Sequence, residues 1–187
     1  TTTTPDQPAT TAPSEAVLSG SPAAMASPAW TYPEGPPSGE QRASPVPRVL
    51  VIIATLNEGT QENFEATMKA NFEGQRAKED SCLFASFFHS TTDQMQFVWI
   101  ECFDSGDGQK AHGGTEWAKA FFAFREEYEF ASWETRWAFA PEASSPLSEA
   151  ITAAKTLLAG VEKLAIKPYD LGDMPANDPA IEPLVAA

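Results

Sequence analysis

The sequence predicts an α+β protein with a ferredoxin-like fold, an antiparallel sheet built in the order β-α-β-β-α-β. Two observations carry this prediction. Four segments are rich in β-branched and aromatic residues, as strands are, and two segments between them repeat apolar residues at helical spacing. A third apolar helix follows the fourth strand and lies outside the basic pattern.

The four predicted strands differ in how their apolar residues are arranged. VLVIIATL (49–56) is apolar throughout, which is typical of a central strand covered on both faces. CLFASFFHS (82–90) and MQFVWIECF (95–103) form a hairpin about the loop Thr91-Thr92-Asp93, and WETRWAF (133–139) is the last strand. In that hairpin Cys82 stands opposite Cys102, so we expect the two cysteines to be neighbours that form a disulfide only in an oxidising compartment.

The two predicted helices follow the first and third strands. The first begins after Asn57, with Thr60 as its N-cap, and runs to about Lys78 with an apolar stripe of Phe64, Met68 and Phe72. The second begins at His112, and Trp117, Phe121, Phe124 and Tyr128 lie on one side of it. Both helices should cover the same face of the sheet, because split β-α-β units place them there.

The other face of the sheet is also apolar and needs a cover. In the third strand Val98 and Ile100 point to the side opposite Phe97 and Trp99. Exposure of this second face to water would leave a large apolar patch. We expect either a second subunit or the third helix to cover this face. The third helix begins at Ser145-Pro146. Its predicted apolar side consists of Leu147, Ile151, Ala154, Leu158, Val161 and Leu164.

The two ends of the chain differ from this centre in composition. Residues 1–47 hold ten of the sixteen prolines and, among basic residues, only Arg42, so we expect an extended segment without a core, helix or sheet. The predicted organisation is therefore a Pro/Ala/Thr-rich tail (1–47), an α+β domain (48–140), an amphipathic helix (141–166) and an extended acidic tail (167–187).

Charge and composition exclude several classes of function. The formal net charge of −14 would repel a phosphate backbone, so we expect no nucleic acid as a partner. The sequence contains no apolar run long enough to cross a membrane. Two cysteines are too few for a zinc site or a disulfide scaffold, and we expect no metal and no cofactor.

The segment from Phe97 to Phe122 resembles the strand-turn-helix signature of the antibiotic-biosynthesis-monooxygenase (ABM) superfamily, whose members are dimeric α+β barrels. The resemblance spans about residues 49–124 and departs from the family where Phe103 stands in place of a common tryptophan. The matching positions are Phe97, Glu101, Phe103, Asp104-Ser105, Ala111 and His112.

The resemblance implies three candidate catalytic residues, Asn57, Glu101 and His112. It also implies haem as a possible ligand, because some members of the superfamily bind or degrade haem. Each has a structural alternative. Glu101 on an aromatic strand needs a hydrogen-bonding partner or the solvent edge, and His112 at a helix start could simply pack there, turned away from any cavity. Under that alternative, replacement of His112 with alanine would reduce stability only slightly and would not change ligand binding.

Two functions are consistent with the sequence. The favoured one is an accessory subunit of a larger complex, built on a non-catalytic ABM-like domain. We expect that complex to be an organellar (plastid) membrane complex. The accessory subunit would bind other subunits through its second sheet face and through tail anchors, or form a homodimer if it is isolated; the anchors are Val17, Leu18, Met25, Trp30 and Tyr32. The alternative is a cofactor-independent monooxygenase or haem-binding enzyme of the ABM superfamily.

Overall fold

The computed structural model describes residues 29–159 and 166–168. Its strands are β1 (Arg48–Leu56), β2 (Cys82–Ser90), β3 (Gln96–Phe103), β4 (Phe130–Phe139) and β5 (Ile166–Pro168). Its helices are α1 (Gly39–Ala43), α2 (Gln61–Lys78), α3 (Gly106–Gly113), α4 (Glu116–Glu127) and α5 (Leu147–Leu158). None of the helices described is long and apolar enough to cross a membrane.

The sheet confirms the predicted ferredoxin-like α+β fold. Its strand order is β4-β1-β3-β2-β5, and neighbouring strands among the described residues pair antiparallel. β1 is central and buried along nearly its whole length, as its continuous apolar sequence predicted. β5, which pairs with β2, was not predicted; it lies where the sequence analysis placed the end of a helix and the start of a tail.

The first face of the sheet carries the larger apolar cluster, and α2 and α4 cover it. Phe64, Met68 and Phe72 of α2 are fully buried against Phe87, Phe97 and Trp99 of the strands. Phe121 and Phe124 of α4 complete the cluster. The predicted helical stripes are confirmed, and Thr60 is the N-cap residue of α2 although its side chain makes no capping hydrogen bond.

The second face is covered by α5, one of the two covers that the sequence allowed. The apolar side of α5 overlaps the predicted one, since Ala154 is buried and Ile151 and Leu158 are partly buried against the same cluster. Its centre is different, because Ala150, Ala153 and Leu157 are also buried, whereas Leu147 is exposed. Small alanines let the helix approach the sheet closely, and Arg136 of β4 donates from Nη1 to the carbonyl of Leu157 (2.8 Å) at the end of the helix. The predicted positions Val161 and Leu164 lie outside the described residues.

The prediction that Cys82 and Cys102 lie opposite each other is wrong. It required His89 to pair with Met95, but His89 pairs with Phe97, and a bulge next to Leu83 then places Cys82 opposite Phe103. Cys82 consequently packs on the first face and Cys102 on the second, so the sheet separates them. No disulfide joins the two cysteines.

Part of the segment predicted to be extended is folded onto the domain. Residues 39–43 form α1, which Ser38 and Gln41 close with a reciprocal capping box. Thr31 forms a β-bridge with Phe139 at the end of β4. Trp30 packs on the second face and its Nε1 donates to Glu149 (3.3 Å).

A buried arginine joins α1 to the sheet. Arg48, at the start of β1, is fully buried and donates to the carbonyl oxygens of Arg42 (2.8 Å) and Ser44 (2.5 Å). Its guanidinium also lies 5.3 Å from the ring centroid of Phe139, and burial lowers its pKa. The backbone after α1 therefore solvates a buried cation that would otherwise destabilise the domain.

Candidate functional site

The pair Glu101 and His112, which the sequence singled out, does come together beneath α2 and α4. Glu101 lies on β3 with its side chain on the first face, next to Trp99 and opposite Leu50 of β1. The Nε2 atom of His112 is 4.0 Å from Oε1 of Glu101, and both residues are nearly inaccessible to solvent.

His112 does not start a helix, contrary to the prediction. The glycines that follow it divide the predicted second helix in two, because α3 ends at Gly113 and Gly114 is its C-cap residue. Thr115 then caps α4 by accepting from the amide of Ala118 (3.2 Å). His112 therefore lies in the last turn of α3, at the end of a helix rather than at the start of one.

Glu79, at the end of α2, determines the orientation of the His112 ring. Its two carboxylate oxygens lie 2.9 and 3.0 Å from Nδ1 of His112. Since a carboxylate can only accept, Nδ1 carries the proton in this contact, and in the neutral imidazole Nε2 is then the unprotonated atom. Trp117 of α4 also donates from Nε1 to Glu79, so two donors hold this carboxylate in place.

A close approach of two helices allows Trp117 to reach Glu79. Gly74 of α2 lies under the Trp117 ring, and a Cβ atom at that position would come within 2.3 Å of the ring. The glycine thus makes room for the indole between α2 and α4.

Glu101 is held from the other side by a glutamine of α2. Nε2 of Gln75 donates to Oε1 of Glu101 (3.1 Å), and Gln75 is itself fully buried. Burial raises the pKa of Glu101, and Glu79 adds to this effect, while His112 and the Gln75 hydrogen bond oppose it. The carboxyl group is therefore biased towards its neutral form.

Both Glu101 and His112 line a cleft of about 320 Å³ between the first face, α3 and α4. Two rows of paired residues form its floor, Trp99–Ile52–Thr135 and Glu101–Leu50–Trp137. Phe121, Phe122 and Trp133 supply further aromatic surface. The prediction that His112 faces away from any large cavity is wrong, since the packing of α3 turns it towards this one.

The remaining candidate residues lie elsewhere. Asn57 is exposed in the turn after β1, at the strand end away from Leu50, and its Nδ2 donates to the carbonyl of Glu129 (2.6 Å). It takes no part in the cleft. Tyr32 is 42 % exposed, and Val17, Leu18 and Met25 lie outside the described residues.

The sequence analysis missed Gln75 and Glu79, although a signal for them existed. They continue the stripe of Phe64, Met68 and Phe72 along α2, so two polar residues occupy positions where the helix faces the sheet. Polar residues on a buried helical stripe need partners, and here the partners are Glu101 and His112.

The cleft does not suit haem, the ligand that the alternative implied. Nδ1 of His112, one of its two possible ligand atoms, is already occupied by Glu79. The volume of the cleft is also at the lower end of the range for small-molecule sites. No group of three or more metal-ligating side chains occurs among residues 29–159 and 166–168.

No family model matches the sequence, and a comparison with curated proteins gives no match either. Among solved structures, one provisionally named as an antibiotic biosynthesis monooxygenase from Caulobacter crescentus is 22 % identical and covers 55 % of this chain and 97 % of its own, with a TM-score of 0.49. A similarly named protein of Nitrosomonas europaea is 17 % identical over 53 % of this chain and 94 % of its own, with a TM-score of 0.46. This chain spans only 42 % of a provisionally named monooxygenase from Lactobacillus acidophilus, at 14 % identity over 48 % of this chain and a TM-score of 0.45.

The Caulobacter and Nitrosomonas structures bear the same family name as the resemblance in the sequence. At such identities and TM-scores they carry no argument about activity, and the fold class rests on the strand order and register of this chain. The fold and the site together define a ferredoxin-like α+β domain with a small aromatic cleft and a buried Glu-His-Glu cluster.

Proposed function

We propose that this domain binds a small fused-ring aromatic molecule in the cleft and removes a proton from it with His112. The observation that carries the proposal is the contact between Glu79 and Nδ1 of His112, which leaves Nε2 on the cleft side. A histidine held at one nitrogen by a carboxylate is oriented to act as a base at the other. The tryptophan and phenylalanine side chains of the cleft offer flat apolar surface to a ring system.

The reaction that the ABM resemblance implies for such a site is oxygenation without a cofactor. A base removes one proton from an activated ring carbon that carries two hydrogens, the resulting carbanion transfers electrons to dioxygen, and a hydroperoxide forms on that carbon after the base returns the proton to oxygen. Loss of water then leaves a carbonyl group. One oxygen atom stays on the ring, the other leaves as water, and the ring carbon supplies all the electrons.

The test is oxygen uptake by the purified protein with uncharged substrates such as anthrone and fused-ring hydroquinones. We expect turnover that H112Q lowers about 100-fold, the usual size of a general-base contribution. The matched control is H89Q, which changes the only other histidine, on β2 and away from the cleft. No uptake above the rate without protein, or equal rates for H112Q and wild type, would disprove the proposal.

A role as an accessory subunit is a second proposal, and one observation favours it. Trp30 and the Thr31 bridge attach the N-terminal segment to the domain, yet Tyr32 between this attachment and α1 is 42 % exposed. An exposed aromatic residue on an anchored segment is suited to burial against another polypeptide. The test is the Tyr32→Ser variant in size-exclusion chromatography coupled to light scattering with candidate partners; retention of the complex would contradict a role for Tyr32.

A further inference from the structure

Two arginines line the cleft on different sides. Arg42 comes from α1 and Arg125 from α4, and both residues are exposed. Neither arginine forms an ion pair with a described residue, so neither is neutralised there.

Each arginine is nevertheless held in position. The guanidinium of Arg125 lies 4.1 Å from the ring centroid of Trp133, a cation-π contact that leaves its N–H edges unused. Nε of Arg42 donates to the carbonyl of Pro37 (3.1 Å), which leaves its two terminal nitrogens for another acceptor. The backbone of Arg42 is fixed as well, because its carbonyl accepts from the buried Arg48 (2.8 Å).

The cleft is therefore locally cationic in a strongly acidic protein. The whole chain has a formal net charge of −14, with only 12 lysines and arginines. Glu101 is the one acidic residue that lines the cleft, and burial raises its pKa. Asp107 and Lys110 line the neighbouring cavity, which Arg42 also lines.

We propose that the ligand of this cleft is an aromatic carboxylic acid whose carboxylate binds Arg42 and Arg125. Its ring system packs on the aromatic surface that includes Trp133 and Phe121. Guanidinium groups bind carboxylates through paired N–H donors, so two of them around an aromatic cleft select an acid over a neutral ring. This inference rests on the proposed function of the cleft and names its substrate class.

The experiment compares 2-naphthoate with its neutral isostere 2-naphthamide by isothermal titration calorimetry on the full chain at low salt. We expect naphthoate to bind at least about tenfold more tightly, since one charge-assisted hydrogen bond accounts for such a ratio. R42Q and R125Q should each remove most of this preference and leave the affinity for naphthamide unchanged. K119Q is the matched control, because Lys119 is an exposed cation of α4 that does not line the cleft.

Three results would overturn the inference. Equal affinity for the acid and the amide would show that no carboxylate site exists. An equal loss of affinity for both ligands in R42Q and R125Q would show that the arginines only support the walls. Binding of neither ligand would also overturn it, and the oxygen-uptake assay, which uses uncharged substrates, decides the proposed function separately.

Discussion

The Nδ1 atom of His112 lies 2.9 Å from Oε1 of Glu79, although the two residues are 33 positions apart in the chain. Glu79 follows the last turn of α2, and His112 lies in the last turn of α3. The contact joins two helix ends beside β3 and gives the imidazole a fixed orientation. Both side chains are almost inaccessible to solvent, at 10 % for His112 and 6 % for Glu79.

Removal of the Glu79 carboxylate should destabilise the domain. E79A leaves Nδ1 of His112 and Nε1 of Trp117 without their acceptor in a buried place, and we expect a loss of about 2–4 kcal/mol in the free energy of unfolding. Urea denaturation measures the change. The control E73A removes an exposed glutamate of α2 and should stay within about 0.5 kcal/mol of wild type. A loss in E79A no larger than in E73A would show that the contact is unimportant.

Burial of Glu101 should make stability depend on pH. The pKa of Glu101 is raised in the folded protein, so the folded state binds this proton more tightly than the unfolded chain does. Stability should then fall as the pH rises from about the ordinary value of 4.5 towards the raised pKa, and stay lower above it. E101Q cannot ionise and should lose less stability than wild type between acidic and neutral pH.

Urea titrations of wild type, E101Q and the exposed-site control E73Q at several pH values measure this difference. Glu73 lies on the solvent side of α2, and its replacement should leave the wild-type pH dependence unchanged. An E101Q profile parallel to that of wild type would contradict the prediction.

Position 74 should tolerate no residue larger than glycine, because the Trp117 ring lies directly against it. The Cβ of G74A would lie 2.3 Å from the indole, so the ring must move away from Glu79. We expect G74A to cost about 1–3 kcal/mol, although alanine is the better helix former. Urea denaturation and the NMR shift of the Trp117 indole N–H measure the effect. An unchanged indole shift would contradict the predicted movement.

Truncation should separate two parts of the N-terminal segment. The sequence predicted residues 1–47 to be an extended tail without a core of its own, but deletion of that tail removes the carbonyl oxygens that solvate the buried Arg48. We therefore expect the chain that starts at residue 48 to be less stable than the chain that starts at residue 29, by about 2 kcal/mol or more. Thermal denaturation of both chains measures the difference, and equal melting temperatures would contradict it.

The sequence by itself determined the elements and the fold class. The apolar run of β1, the stripe of Phe64, Met68 and Phe72, and the order of strands and helices all depend on local periodicity, which the side chains themselves impose. Glu101 and His112 were singled out, together with Asn57, through the resemblance to the ABM superfamily.

Only the tertiary structure decided the register, the helix break and the partners of the site. A slip of the β2–β3 hairpin by two residues keeps every side chain on its face, so alternation could not distinguish the two registers. The bulge next to Leu83, rather than the slip, places Cys82 and Cys102 on opposite sides of the sheet. The contact of Glu79 with His112 depends on how α2 and α3 pack beside β3. The distance between these two side chains therefore cannot be predicted from their separation in the sequence. Packing against the sheet also folded residues 39–43 into α1 and brought Arg42 to the cleft, because the buried Arg48 needs the carbonyl oxygens that this segment supplies.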